Sequence, residues 1–403
     1  MTRGVVIAGA SLAGLRVAEG LRTNGFDGPI TMIGDERRLP YDRPPLSKGV
    51  LTGAAEPAAA AFRDAEWFTD SGIDLRLGET ALSVEVDARR LITDGGDIGY
   101  AQLVIATGGR ARNPFPELSG VLTLRTADDA LNLRERLNDA ERLVVIGGGF
   151  IGMEVASSAR SLGVEVTLIE AAPVPLSRNL GDLVAPVFTE IARSHGVDIR
   201  CGSGVRLLEG SDEAGGGGAV RAVILNDGTR IETDLVVVGV GSVPNAEWLA
   251  ESEVVTSGLG VHCDAHGAAG SDVWAVGDVA AWLDGAGTRR RHEHWTSAVD
   301  QARVLAGNLL SSERRSVTTA GYVWSDQFGR RINIVGDTAG AGSTHLISDG
   351  PDDLAAIYAV DHAVVGACVV GQPKLMVNAR RWVASNAPID VVHEFSAGAA
   401  PRG

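Results

Sequence analysis

A chain of 403 residues has room for two or three domains, and 45% apolar with 22% charged residues is ordinary globular composition. Asp and Glu number 51 against 36 Lys and Arg, a net charge of −15, which excludes general nucleic-acid binding through a basic face. The three cysteines, Cys201, Cys263 and Cys368, each lie more than sixty residues from the next, so their spacing supplies neither a CxxC pair nor a disulfide framework.

From the N-terminus, the β-branched run 4–8 (GVVIA) leads into GASLAG, an amphipathic stretch over 15–21 and a second short strand at 30–33. This is strand, glycine turn, helix, strand: a βαβ unit. The same opening could pass for a weak signal peptide, but the pattern recurs later in the chain, which favours the buried strand. Residues 103–109 (LVIATGG) form a further strand ending in glycine. Residues 143–169 repeat the first plan: LVVI, GGGFIG, a helix over 153–161, then VEVTLI. The glycine run at 215–218 reads as a hairpin loop between strands 205–208 and 220–225. LVVVGVG (235–241) and VWAVGD (273–278) are two more strands ending in glycine. After about residue 315 the texture becomes antiparallel, with strands at 332–336, 354–360 and 363–370 and a helix over 375–385. Apolar runs such as 235–240 and 363–370 are shorter than the ~18–20 residues of a membrane-spanning helix, so a soluble, cytoplasmic protein with no membrane partner is expected.

The fold class expected is therefore α/β, with two Rossmann-like dinucleotide-binding domains and a C-terminal α+β domain. The limits expected are 1–113 with 242–315 for the first domain, 114–241 for the second, inserted into it, and 316–403 for the third.

The chemistry resides in the two glycine turns. Gly9, Ser11 and Gly14 occupy the G-x-G-x-x-G places, with Leu12 and Ala13 between. Such a turn aims backbone N–H groups and a helix N-terminus at a pyrophosphate. Asp35 follows Gly14 by 21 residues, where a carboxylate accepts ribose hydroxyls. Gly147, Gly149 and Gly152, with Phe150 and Ile151 between, form the second fingerprint, and Glu170 follows Gly152 by 18 residues. An acid there accepts the free ribose of NADH and repels the 2′-phosphate of NADPH. Ala171, Ala172 and Pro173 supply no arginine for that phosphate, although Arg178 is not far away in sequence.

The order GASLAG, GDERRLPYDRPPLSK, IATGG, GGGFIGMEVA, GVGSVPN, AVGD, HEHWTSAVDQA and WSDQ resembles that of the NADH-dependent ferredoxin reductases, over nearly the whole chain. These flavoproteins of the glutathione-reductase fold serve bacterial P450 and ring-hydroxylating dioxygenase systems. The resemblance implies FAD in the first domain, NADH in the second, and hydride transfer followed by single-electron transfer to a 2Fe–2S ferredoxin. Rubredoxin reductases and redox sensors similar to apoptosis-inducing factor are the alternatives.

Carried over by motif, the resemblance places Ala13, Asp35, Arg43, Lys48, Ala81, Arg125, Asp278 and Trp295 at flavin contacts, along with Ala106, Thr107 and Gly108 of IATGG. Trp295 would precede a helix over 296–310 whose N-terminal dipole faces the N1–C2=O edge of the ring. Trp324 of WSDQ would lie near the flavin. Gly239 and Gly241 would let the backbone approach the nicotinamide. Lys48 would lie near flavin N5, paired with Glu154, and these two are the catalytic candidates.

Lys48 is one of only two lysines, with Lys374, against 34 arginines. A compact ammonium can lie close to N5 and hold the carboxylate, whereas a planar guanidinium has a different shape and donor geometry. No cysteine precedes Cys201, whereas the disulfide reductases of the fold carry a flavin-facing pair early in the chain, so a thiol relay is not expected. No metal site is expected either, since His262, Cys263 and His266, and His292 with His294, read as ordinary turn and strand residues. For docking an acidic ferredoxin, Arg289–Arg291, Arg314–Arg315 and Arg330–Arg331 are the candidate basic clusters.

Overall fold

The computed structural model describes residues 4–115, 118–211, 218–318 and 320–399. The chain divides into two compact units. The first comprises Met1–Asp42, Pro57–Arg110 and Ser242–Thr319; the second comprises Arg43–Glu56, Ala111–Gly241 and Ala320–Gly403.

The first unit is built on an eight-stranded sheet. Its path runs Ala268–Gly270, Val273–Ala275, Gly96–Ile105, Gly4–Ala8, Ile30–Gly34, Ile73–Leu77, and the hairpin Ala81–Glu85 with Arg90–Thr93 joins at Gly96–Ile105. The central strands pair in parallel. Gly4–Ala8 is apolar almost throughout, as a strand covered on both faces must be. The helix Leu12–Thr23 packs on it through Leu15, Val17, Ala18 and Leu21, all with no solvent exposure. Against that helix lies Trp295–Asn308, which reaches so close that a Cβ on Gly20 would sit 2.6 Å from the Ala306 methyl.

The second unit repeats the plan. Its parallel sheet is ordered Val197–Cys201, Glu165–Glu170, Arg142–Ile146, Leu235–Val238, Val121–Leu122. The helix Phe150–Ser161 follows the glycine turn and buries Met153, Val155, Ala156 and Ala159. Strands Val205–Gly210 and Val220–Leu225 pair antiparallel as the hairpin expectation requires, although most of the loop between them, 212–217, lies outside the described residues.

Beyond residue 320 five antiparallel strands follow, in the order Tyr322–Gln327, Arg330–Gly336, Ala363–Val370, Ala355–Val360, Ser343–Ser348. The helix Pro373–Ala384 packs on this sheet, and a last helix, Asp390–Ala399, was not apparent from the sequence. Among the described residues no helix is long and apolar enough to cross a membrane.

Candidate functional site

In each unit the glycine turn sits where the strand order reverses. Gly4–Ala8 lies between Ile30–Gly34 and Gly96–Ile105; Arg142–Ile146 lies between Glu165–Glu170 and Leu235–Val238. Such a switch point opens a crevice beyond the strand ends, the place where nucleotides bind in open α/β sheets.

The two turns are built alike. Gly9 has φ +130°, and a Cβ on it would lie 2.1 Å from the carbonyl oxygen of Ala106. Gly147 has φ +106°, and its Cβ would lie 2.3 Å from the carbonyl oxygen of Gly239. The last glycine of each turn is as tight: Cβ atoms on Gly14 and Gly152 would each fall 2.0 Å from the carbonyl of Gly9 or Gly147. Glycine is therefore demanded at these four positions by backbone on backbone. Gly149 is different, because nothing lies within 4 Å of its would-be Cβ. That open space at the N-terminus of Phe150–Ser161, where no side chain caps the helix, fits a phosphate that backbone N–H groups hold. Ser11 takes the corresponding N-cap place in the first turn, followed directly by the helix that holds Leu12 and Ala13.

The acids at the strand ends differ. Asp35 is exposed beyond Ile30–Gly34, accepting a hydrogen bond of 3.0 Å from the Glu36 N–H. Glu170 is half-buried, its Oε2 accepting from Gly148 N–H and its Oε1 from Ala172 N–H, both at 2.7 Å. The carboxylate is fixed beside the glycine turn, with its remaining lone pairs available to hydroxyls. Arg178 is exposed on the first turn of Ser177–Ser194.

Around the first turn, Ala106 is buried, Thr107 donates to the Asn245 carbonyl at 2.7 Å, and Gly108 has φ +64°. Asp278 lies in the 3-10 turn Gly277–Val279, whose Gly277 N–H is held by the buried Gln301 at 2.9 Å. Trp295 is itself the first residue of its helix, with His294 as N-cap, so the helix begins one residue earlier than expected and ends at Asn308. Its indole N–H donates to Asp42 at 2.8 Å. Ala81 opens the strand Ala81–Glu85. In the second unit Arg43 donates to the Arg125 carbonyl at 2.7 Å. Gly239 and Gly241 follow Leu235–Val238, and Gly241 has φ +103° with nothing near its would-be Cβ.

The second unit also holds a densely bonded charge. Glu154 is 3% exposed on the first turns of Phe150–Ser161. Its Oε2 accepts from Lys48 Nζ at 2.7 Å and from Ser47 Oγ at 2.5 Å; its Oε1 accepts from Ser325 Oγ at 2.6 Å and from Asp326 N–H at 3.3 Å. A buried carboxylate is costly unless paired and hydrogen-bonded, and here both oxygens are. Lys48 also donates to the Pro44 carbonyl, at 3.0 Å, from the C-cap of the short helix Pro44–Ser47. The structure thus brings Lys48 and Glu154 together. The sequence pointed to neither Ser47 nor Ser325, although both lie inside quoted motifs. Trp324, in the same WSDQ motif, stacks on Tyr322 with ring centroids 5.9 Å apart.

Each of the three arginine clusters has side chains engaged within the chain. Arg289 donates to the Cys263 and Ala281 carbonyls, Arg290 pairs with Asp284 at 2.9 Å, and Arg291 with Glu293 at 2.6 Å. Arg330 pairs with Asp352, Arg331 grips both oxygens of Asp326, and Arg314 lies over the Trp274 ring. The three cysteines are free thiols. Burial pushes Cys263 and Cys368 up to about 12.

Two glycine turns at switch points and an internal Lys–Glu pair, with no cysteine couple, fit a two-nucleotide oxidoreductase. Residues 3–302 match the pyridine nucleotide-disulphide oxidoreductase family and residues 322–394 the reductase C-terminal family. The chain belongs to the pyridine nucleotide-disulphide oxidoreductases, whose cofactors are FAD and NAD(H). It is 36% identical over 395 residues to rhodocoxin reductase of Rhodococcus erythropolis, covering 96% of this chain and 90% of that one. It is also 36% identical over 396 residues to the ferredoxin–NAD(+) reductase component of the p-cumate 2,3-dioxygenase system of Pseudomonas putida, covering 96% and 94%. Among solved structures, the ferredoxin reductase for the CYP199A2 system from Rhodopseudomonas palustris superposes with a TM-score of 0.90 at 34% identity, covering 96% of each chain.

Proposed function

We propose that this chain is an FAD-dependent NADH:ferredoxin oxidoreductase of the cytoplasm, supplying a 2Fe–2S ferredoxin that serves a P450 or ring-hydroxylating oxygenase. When bound, FAD would supply two-electron acceptance from NADH and single-electron release to such an acceptor. The observation that carries the reading is the doubled glycine turn joined on one chain to the Glu154–Lys48 pair. The similarity to ferredoxin reductases over nearly the whole chain supports the electron acceptor class.

The turn Gly9–Gly14 and the N-terminus of Leu12–Thr23 would hold the FAD pyrophosphate, with Asp35 on the ribose. Arg43, Ala81, Ala106, Thr107, Gly108, Arg125, Asp278 and Trp295 would complete the flavin's surroundings. The turn Gly147–Gly152 would hold the NADH pyrophosphate. Glu170 would take the adenosine ribose and repel a 2′-phosphate there. Gly239 and Gly241 would leave room for the nicotinamide beside bare backbone. Lys48, steadied by Glu154, would present its ammonium to the flavin where reduction adds negative charge. The domain limits that go with this reading are 1–113 with 242–315 for FAD, 114–241 for NAD, and 316–403 for the C-terminal domain.

The test is steady-state turnover of a 2Fe–2S ferredoxin with NADH and with NADPH. Turnover with NADH well above that with NADPH is expected. Equal turnover, or reduction of rubredoxin alone, would overturn the assignment.

A further inference from the structure

Ser325 has no solvent exposure, and its hydroxyl is aimed by its neighbours. Its oxygen accepts from Gln327 Nε2 at 3.1 Å, so its own proton is directed to Glu154 Oε1 at 2.6 Å. Gln327 is 3% exposed and shares a face of the strand Tyr322–Gln327 with Ser325, since alternate residues point the same way. The other carboxylate oxygen is served in the same sense. Lys48 Nζ donates to Ser47 Oγ at 3.3 Å, and Ser47 donates to Oε2 at 2.5 Å. The strand is anchored to the helix Phe150–Ser161 a second time, by Phe328 N–H donating to Ser157 Oγ at 2.7 Å.

We propose that Ser325, backed by Gln327, is a positioning residue for flavin reduction. It keeps Oε1 occupied, so the carboxylate plane is fixed and only Oε2 faces the Lys48 ammonium. The strand that carries Ser325 belongs to the C-terminal sheet. That sheet would then set the geometry of the Lys–Glu pair as well as adding bulk to the second unit. Without the Ser325 hydroxyl, Oε1 keeps only the 3.3 Å bond from Asp326 N–H, so the carboxylate is held less firmly and concentrates more of its charge on Lys48. The ammonium would then stabilise negative charge elsewhere less well. The proposal rests on the reading that Lys48 serves the flavin.

The experiment uses the full-length, FAD-loaded enzyme with Ser325→Ala and Gln327→Met. Stopped-flow mixing with NADH gives the limiting rate of flavin reduction and the half-saturating NADH concentration. A dye-mediated titration, which needs no NADH, gives the flavin midpoint potential. The limiting rate should fall about tenfold in Ser325→Ala and by a smaller factor in Gln327→Met, with half-saturation unchanged, since hydride transfer is steeply sensitive to position. The potential should fall by the equivalent of tenfold in the two-electron equilibrium, about 30 mV. Parental rate and potential with only a lower melting temperature would overturn the proposal and leave Ser325 a packing residue. If the parent itself is not reduced by NADH, the functional reading fails. The potential then decides for Ser325 by itself, a parental value overturning the proposal and a lowered one supporting it.

Discussion

Lys48 Nζ lies 2.7 Å from Glu154 Oε2, and the two residues are 106 positions apart in sequence. Lys48 remains partly open, at 22% side-chain exposure, while Glu154 is enclosed at 4%. Removing the lysine leaves the carboxylate with three donors and no countercharge. Lys48→Ala should destabilise the protein by about 1–3 kcal/mol in denaturant unfolding, below the range for breaking a fully enclosed pair. It should also slow flavin reduction by NADH at least about tenfold. Lys48→Arg should not restore the rate, because the guanidinium is wider and its donors are set in a plane. An unchanged rate in Lys48→Ala would remove Lys48 from the chemistry, and a parental rate in Lys48→Arg would show that any cation there suffices.

The paired glycines give a crossed prediction. A Cβ on Gly14 or on Gly152 would stand 2.0 Å from a backbone carbonyl in its own turn, so either alanine forces the turn to move. Gly14→Ala should lower the flavin bound per purified chain. Gly152→Ala should leave flavin content near normal and raise the half-saturating NADH concentration about tenfold or more. Visible absorbance per chain and NADH titration check the two arms. Loss of flavin from the Gly152 variant would reverse the assignment of the two turns.

Glu170 holds the Gly148 and Ala172 N–H groups at 2.7 Å each. Glu170→Ala removes both charge-assisted bonds and the charge that would repel a 2′-phosphate. The ratio of kcat/KM for NADH over NADPH should fall about tenfold to a hundredfold, given about 1.5–3 kcal/mol for a hydrogen bond to a charged group. A ratio that stays at the parental value would show that Glu170 only braces the turn.

Much of this was legible in the sequence because it is local. Gly9, Gly14, Gly147 and Gly152 announce their turns by spacing, and Asp35 and Glu170 stand at the ends of the strands that follow. Ser325 was not legible in this way. Its partner Glu154 is 171 positions away, and a serine inside WSDQ carries no local mark of the carboxylate it will meet. The resemblance singled out Trp324 of that motif, while the next residue along the strand, Ser325, is the one that meets Glu154. The partners of the clustered arginines were not legible either: a run of basic residues shows charge, but not the acids and carbonyls that meet Arg289, Arg290 and Arg331. The helix Asp390–Ala399 was missed because ten residues carry too few turns for a clear apolar period.

The enclosed thiols set a pH dependence. Cys263 and Cys368 are raised from 9.0 to about 12 by burial. A raised folded value means that the stability is fully present below the unfolded value and is lost as pH climbs through the folded one. Stability should therefore decline between pH 9.0 and about 12, by about 1.4 kcal/mol per pH unit for each thiol. Cys263→Ala should flatten the slope by one thiol's share when unfolding is followed against pH. Alkylating reagents at neutral pH should leave NADH-driven turnover unchanged, since no thiol takes part in it. Inactivation that tracks modification of one cysteine would contradict this.

The most direct measurement mixes the FAD-loaded enzyme with NADH in a stopped-flow instrument and then adds oxidised 2Fe–2S ferredoxin. Flavin absorbance should bleach rapidly on NADH addition. It should recover as the ferredoxin is reduced, two ferredoxins for each NADH consumed. Flavin that is bleached by NADH and then stays bleached in the presence of ferredoxin would contradict the account.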